Sequence, residues 1–560
     1  MDMRKIMRLG VLLLAVYSSA AFAGRAAVAT ADVHATAAAE EVLRAGGNAV
    51  DAAVAAGFAL AVTYPEAGNL GGGGLATLWM NGEPYFLDYR ERAPHRATAT
   101  MYLDAQGNPI PNASTIGALA AGVPGSVAGL YELHHRFGVL SWSADVAPAI
   151  RLASQGFVAS KALAAGAAEE TQAMRGRTNF GQYFRIHAGQ RFRQPALAAV
   201  LKRIAAAGPD DFYRGQTAKL ITGTMRQDHG LIDAQDLADY KAIWRAPLQA
   251  ETDGYHVITA PPPSSGGIAL LQLLGMKSAR SADFAGVPPN SVDYVHRVAE
   301  IEKRVFADRA EYLGDPDFVS VPVAALTDPA YIAARAREID PQKLSPTDQV
   351  LPGLKEHHQT THYSVLDRDG NAVAITYTLN DTFGSGAVVR GAGFLLNNEM
   401  DDFSIKPGVP NIYGVVGGDA NAIAPGKRPL SSMTPTILTK GGKVALVVGT
   451  PGGSRIFTTV FQVIANWRDA GLSLVDAVAL PRFHHQLLPD SVIFLEPNRF
   501  LDAEVMNTLS GKGYRFEDQG WSMGDVQAIS VTPEHVEAAS DPRGRGASVV
   551  IPKERDCPCK

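Results

Sequence analysis

The chain has 560 residues, of which 19% are charged, and a formal net charge of −5 at pH 7. That balance excludes the basic surface a nucleic-acid partner needs. The length suits one large core or two lobes. The only cysteines, Cys557 and Cys559, lie in a Cys-Pro-Cys tail, so packing rather than disulfides must hold the body.

Residues 1–23 carry a basic patch (Arg4, Lys5, Arg8), an apolar run from Leu9 to Val16 and a small-x-small end, Ala21-Phe22-Ala23. This is the pattern of a secretory signal peptide and is too short to span a bilayer. An exported protein is expected, periplasmic or secreted, with no later membrane-spanning run.

Asp32 can cap a helix reaching Ala45, which Gly46-Gly47 stops. Asn48 can cap a second, from Ala49 to Val62, whose nearly all-apolar composition predicts burial. Gly71 to Gly74 follow. The lysine of a phosphate-binding loop is missing, so the run reads as close backbone packing. Strands are expected at Leu75–Trp79 and Tyr85–Tyr89 around Asn81-Gly82, ending at Arg90. Residues 124 to about 340 read as mostly helical. Within them Ala260 to Gly267 is a rigid turn before an apolar helix, Ile268 to Met276. Val292 to Tyr312 is a long helix whose alternating charges predict a solvated face.

Lys343 to His358 is a polar connection. His357 and His358 are adjacent and point apart, which does not suit a metal. Thr361 to Leu366 and Ala372 to Thr378 are strands flanking Arg368-Asp369-Gly370. A three-residue turn with Gly370 in the left-handed region sets Thr360 opposite Thr378, whereas a two-residue turn moves the partner to Leu379. Either way two hydroxyls come close at the open end of a hairpin. A chain cut before Thr360 would give that residue a free α-amine with a pKa of about 8, a suitable base for its own weakly nucleophilic hydroxyl. Glu399, Asp401 and Asp402 form an acidic group without the His or Cys partners of a transition-metal site. Lys443 to Gly449 reads as a buried strand entering Pro451-Gly452-Gly453-Ser454, with an apolar helix from about Ile456. A glycine turn at a helix start offers free N–H groups.

The motifs QTTHYS (359–364), TYTLN (376–380), LLNNEMDDF (395–403), KRPLSSM (427–433) and GTPGGSR (449–455) occur in this order. Together they resemble the small subunit of the γ-glutamyltransferases, self-cleaving N-terminal nucleophile hydrolases, and the resemblance runs from about residue 25 to about 543. It implies an α+β, four-layer αββα sandwich built from two subunits, about 24–359 and 360–560, separated by cleavage between Gln359 and Thr360. Thr360 would be the nucleophile with its α-amine as base, Thr378 would assist self-cleavage, and Gly452 and Gly453 would form the oxyanion hole. Arg90, Ser431 and Ser432 would hold a glutamyl α-carboxylate. Asn380, Glu399 and Asp402 would surround its α-ammonium. Tyr413, in a Pro- and Gly-rich loop from 406 to 414, would shield the substrate. Glutathione and other γ-glutamyl compounds are the implied donors, with water, amino acids or peptides as acceptors and no cofactor or metal. Alternatives are a related acylase acting on β-lactam side chains or poly-γ-glutamate, and a non-catalytic secreted binding protein with the same fold.

Overall fold

The computed structural model describes residues 24–347, 350, 360–406, 418–518, 520 and 522–552. The leader, Gln359, Tyr413 and both cysteines lie outside the described residues. In chain order, thirteen strands make the two large sheets: β1 (Ala26–Thr30), β2 (Gly73–Met80), β3 (Glu83–Tyr89), β4 (Ile243–Arg245), β5 (Leu248–Thr252), β6 (Tyr255–Thr259), β7 (Thr361–Leu366), β8 (Ala372–Thr378), β9 (Thr436–Lys440), β10 (Lys443–Gly449), β11 (Gln527–Val531), β12 (Val536–Ser540) and β13 (Ala547–Ile551). The first sheet runs β13-β1-β7-β8-β2-β3-β4 and the second β12-β11-β10-β9-β6-β5. Every neighbouring pair is antiparallel.

The helices that flank these sheets include α1 (Val33–Arg44), α2 (Ala49–Thr63), α3 (Ser126–Phe137), α4 (Trp142–Gln155), α5 (Gly266–Ala279), α6 (Val292–Tyr312) and α7 (Arg455–Arg468). Three apolar layers separate the four structural ones. One packs α1 to α4 on the first sheet, and one packs α5 to α7 on the second. Between the sheets lie Ala27, Ala29, Ile258, Leu366, Ala374, Ile437, Val447 and Ile529. The αββα sandwich follows from two sheets that are apolar on both faces.

Local signals fix the helices near the site. Asp32 caps α1 through the His34 N–H, and Asn48 caps α2 in a reciprocal box with Asp51. All of α2 is buried, as its composition predicts. The Tyr377 hydroxyl donates to the Gly57 carbonyl at 3.0 Å, and a Cβ at Gly57 would meet the Tyr363 hydroxyl at 2.7 Å. Here α2 therefore lies directly on the β7–β8 hairpin.

The segment 124–340 is mostly helical, as expected, with β4, β5 and β6 between residues 243 and 259 contributing to both sheets. One expectation needs correction. Helix α6 matches its expected bounds, but its charged face is not solvated. His296, Glu300, Glu302, Lys303, Arg304, Asp308 and Arg309 are all buried. The charges compensate along the helix: Glu300 takes Lys303 at 2.9 Å and Arg304 at 3.0 Å. Asp308 takes Arg335 at 3.3 Å and Gln272 at 2.9 Å. Pairing at i+3 and i+4 reads the same in sequence whether water or protein covers it.

The glycine run is close packing, as expected. A Cβ on Gly72 would lie 2.0 Å from the Thr378 carbonyl oxygen, and one on Gly71 would lie 2.1 Å from that of Leu395. Gly72→Ala must therefore displace backbone under the hairpin. Its midpoint in urea unfolding should fall by the equivalent of about 3 kcal/mol or more. Gly82→Ala, at an open turn with φ of +84°, should cost only about 1 kcal/mol. Equal losses in the two variants would contradict this packing.

Candidate active site

The hairpin carries the first half of the site. The Asp367 N–H bonds to the Asn371 carbonyl at 3.0 Å, and Gly370 has φ of +84°, so the turn has three residues. The register runs from Leu366↔Ala372 to Thr361↔Tyr377 and, continued by one residue, sets Thr360 against Thr378. Strand alternation separates two faces. Tyr363, Val365, Val373, Ile375 and Tyr377 join the core on the helix side, and Leu366, Ala372 and Ala374 join the core between the sheets. Positions 360, 362, 364, 376 and 378 share the parity of the second group. The inter-sheet layer therefore turns polar at one end.

His362 organises that end. Its Nε2 lies 3.1 Å from the Ser364 hydroxyl, which donates to the Gln527 carbonyl at 3.0 Å. Nε2 must then carry the hydrogen, and Nδ1 accepts from the Thr376 hydroxyl at 2.8 Å. Burial pushes the imidazole down to about 3, so it is neutral at working pH. Gly449, the last residue of β10, sits against the ring, where a Cβ would come within 2.4 Å of it. The turn into α7 thus leaves the second sheet beside the polar end of the hairpin. Gly452 and Gly453 have φ of +130° and +60°, and their carbonyls accept from the N–H groups of Arg455 and Ile456. Among the described residues, no backbone carbonyl takes the N–H of either glycine.

Thr378 leads to the second half. Its Oγ1 accepts the Asn380 N–H at 2.8 Å, with Asn380 at φ of +78°. Its carbonyl accepts from Asn69 Nδ2 at 2.8 Å, while Asn69 Oδ1 takes the Gly72 N–H and the Ser126 hydroxyl. The Asn380 side chain donates to the Asn398 carbonyl at 3.1 Å. The next residue opens a short 3-10 turn, Glu399–Asp402. Asn397 holds that turn to the glycine run: it donates to the carbonyls of Gly71 and Gly122 and accepts the Glu399 N–H.

Arg90, just beyond β3, is fully buried and meets these acids. Its guanidinium lies 2.5 Å from Glu399, pairs with Asp402, and reaches Glu91 at 3.4 Å. It also donates to the Leu430 carbonyl at 3.3 Å. Burial opposes the charge on Arg90, but Glu399 and Asp402 outweigh it and hold its pKa above the ordinary value. Three carboxylates share one guanidinium, so burial pushes Glu399 up despite Arg90, and Glu91 up to about 7. The cluster has more acidic than basic side chains, and a bound cation would favour the ionised form of the acids.

Ser431 and Ser432 follow Leu430. Both are buried, against the usual solvent exposure of paired loop serines. The Ser431 carbonyl accepts from the Ser265 N–H at 2.7 Å, and the Ser432 hydroxyl accepts from Arg309 at 2.9 Å. Arg309 also donates to the Ser265 hydroxyl at 2.9 Å. The structure thus brings Arg90, Glu399 and Asp402 together, with Asn380 one hydrogen bond away through Asn398; Ser431 and Ser432 follow the Leu430 carbonyl that Arg90 reaches, and their own contacts run to Ser265 and Arg309. It connects this group to Thr378 through Asn380. Sequence reasoning gave no role to Asn69, Asn397, Ser265 or Arg309. The turn at 260–267 was visible as a feature, but Arg309 was hidden in the apparent solvated face of α6.

Two stacked antiparallel sheets between helical layers, with a hydroxyl residue at the head of an inner strand, define the architecture of the N-terminal nucleophile hydrolases. The family model described as Gamma-glutamyltranspeptidase matches residues 35–551. The glutathione hydrolase proenzyme of Pseudomonas aeruginosa is 59% identical over 98% of this chain and 99% of its own. That of Escherichia coli is 47% identical over 92% and 90%. Among solved structures, the cephalosporin acylase from Bacillus halodurans matches with a TM-score of 0.83 at 28% identity, covering 94% of this chain and 96% of its own. A chain of the γ-glutamyltranspeptidase from Pseudomonas nitroreducens complexed with L-DON matches at 56% identity with a TM-score of 0.57, over 57% of this chain and 96% of its own. The chain belongs to the γ-glutamyltranspeptidase family.

The neutral His362 has a consequence for acid stability. Its folded pKa lies below the unfolded value of about 6.5, so below that pH the unfolded chain takes a proton that the folded chain refuses. This contribution is complete above about 6.5 and is lost as pH falls toward 3. Wild type should lose more stability between pH 7 and 4 than His362→Gln does, measured by urea unfolding. Parallel pH profiles would show that the imidazole is not held neutral.

Proposed function

We propose that the chain is a self-processing γ-glutamyltransferase with glutathione hydrolase activity, exported to the periplasm or beyond. Among the described residues no helix is long and apolar enough to cross a membrane. The observation that carries the reading is the buried Arg90–Glu399–Asp402 cluster, whose arginine also reaches the Leu430 carbonyl just before the buried pair Ser431 and Ser432. A glutamyl α-carbon bears one carboxylate and one ammonium. The carboxylate suits the planar donors of Arg90 and the two serines, and the ammonium suits acceptors converging from Glu399, Asp402 and Asn380. Binding would exchange the internal ion pairs for external ones of the same sign pattern. A glutamyl group satisfies the cluster; a dicarboxylic acyl group without the ammonium leaves its acids in surplus. This favours the γ-glutamyl reading over the β-lactam acylase one.

In the precursor, the Thr360 hydroxyl attacks the Gln359 carbonyl. The peptide becomes an ester by an N-to-O shift, and water hydrolyses it, with Thr378 positioning the reacting groups. The products are a large subunit from about residue 24 to 359 and a small one from 360 to 560, held together non-covalently. In the mature enzyme the Thr360 α-amine takes the hydroxyl proton, and the oxygen attacks the γ-carbonyl. The N–H groups of Gly452 and Gly453 receive the oxyanion. The amine product leaves with a proton, and water or an amino acid or peptide amine resolves the γ-glutamyl ester.

Thr360→Ala should give one uncut chain with no release of nitroaniline from γ-glutamyl-p-nitroanilide. The light subunit of wild type should begin Thr-Thr-His-Tyr on N-terminal sequencing. Turnover by an uncut chain would end the proposal. Wild type should also prefer γ-glutamyl- over glutaryl-p-nitroanilide by at least about 100-fold in kcat/KM; equal rates would support the acylase.

Arg309 would act through Ser432 as a positioning residue. Arg309→Lys keeps the charge but loses the fork that holds two hydroxyls. It should raise KM for the γ-glutamyl donor about tenfold with a smaller change in kcat. A loss confined to kcat would contradict that role.

A further inference from the structure

Apart from the residues around Thr360 and Arg90, three side chains converge where α2, α3 and α4 meet. Asp51 in the first turn of α2, His134 near the end of α3 and Asp145 in the first turn of α4 place one donor atom each within 4.8 Å of one another. Asp145 is fully buried, and no N–H or hydroxyl group among the described residues donates to either carboxylate oxygen; its polar neighbour is the Asp51 carboxyl group. Its Oδ2 lies 3.7 Å from His134 Nε2. Nε2 also lies 3.0 Å from the Leu140 carbonyl oxygen, a fourth donor. Asp51 is buried too. Its carboxylate accepts from the N–H groups of Asn48, Val139 and Leu140, two contacts on each oxygen, so a bound ion would share these oxygens with the backbone.

We propose that Asp51, His134 and Asp145, with the Leu140 carbonyl, form a structural site for a divalent transition-metal ion such as Zn²⁺. The donor set is one imidazole nitrogen and three oxygens. That mixture suits zinc, whereas calcium takes oxygen alone. Ligands 2.0–2.1 Å from one tetrahedral ion stand about 3.3 Å apart, so small side-chain adjustments would close the present spacing. A buried carboxylate without a donor needs a counter-charge, and two facing carboxylates need it more. Burial, followed by the neighbouring Asp51, pushes Asp145 up to about 9. A proton shared between the acids is therefore the rival occupant; it would leave His134 Nε2 donating to the Leu140 carbonyl, a hydrogen bond that zinc would replace. His134 is partly exposed and gives the ion a path from solvent. The site would tie three helices of the outer layer together and take no part in the chemistry at Thr360.

The test uses the processed full-length enzyme carrying Cys557→Ser and Cys559→Ser, so that the tail cannot hold metal. After chelation and dialysis it is titrated with zinc chloride and followed by elemental analysis and thermal unfolding. One more equivalent of zinc should be retained than by the same chain with Asp145→Asn, with a rise in Tm of a few degrees (~3 °C) that the variant lacks. His134→Gln should weaken zinc binding at least about tenfold. It serves as the second variant should Asp145→Asn fail to fold, and γ-glutamyl turnover reports folding in both. Equal zinc retention and equal Tm shifts in wild type and the folded variants, or no zinc uptake by wild type, would overturn the site and leave the shared proton.

Discussion

A strand alternates its side chains with a period of two, and this one constraint decides where the hydroxyls of the molecule can meet. The three-residue turn at Gly370 fixes the β7–β8 register, so the even-numbered residues face the second sheet together. A slip of one residue would turn Thr360 and His362 toward α2 and present Tyr363 to the polar layer instead. The register is protected from both sides. Tyr363 and Tyr377 are packed against α2 through Gly57, and the hairpin end presses on a glycine run that has no room for a methyl group.

That rigidity has an electrostatic counterpart. Arg90, Glu91, Glu399 and Asp402 form a buried cluster with more acid than base. Buried ion pairs rarely add stability over apolar packing, so such a cluster is better explained by what it binds. An ammonium and a carboxylate on one carbon fit its sign pattern, as they would on a γ-glutamyl group. Behind it, Asn69 and Asn397 tie the glycine run to the hairpin end and to the 3-10 turn. Arg309 ties Ser432 to Ser265. The hydroxyl end and the charged end are thereby joined through Thr378 and Asn380.

The cephalosporin acylase shares the fold over nearly the whole chain at 28% identity, whereas the glutathione hydrolase proenzyme of Pseudomonas aeruginosa retains 59%. The αββα frame is thus common to enzymes that accept different acyl groups. Selectivity must reside in the side chains set upon it.

By itself the sequence determined the local elements: the caps at Asp32 and Asn48, the bounds of α6, the hairpin, and the glycine turn into α7. It did so because caps, turns and strand period act over a few residues. The family resemblance carried by the motifs also implied a constellation of Arg90, Thr360, Glu399 and the glycine pair. Only the tertiary structure decided which charges are buried. Alternating acids and bases on α6 satisfy one another at i+3 and i+4 whether water or protein covers them, so Arg309 read as solvated and is instead the clamp on Ser432. Likewise β4 to β6 are short strands inside a helical stretch, recognisable only once β3 and β9 supply their neighbours. Asp51, His134 and Asp145 carry no shared motif, and their convergence depends on how three helices cross, which no local pattern encodes.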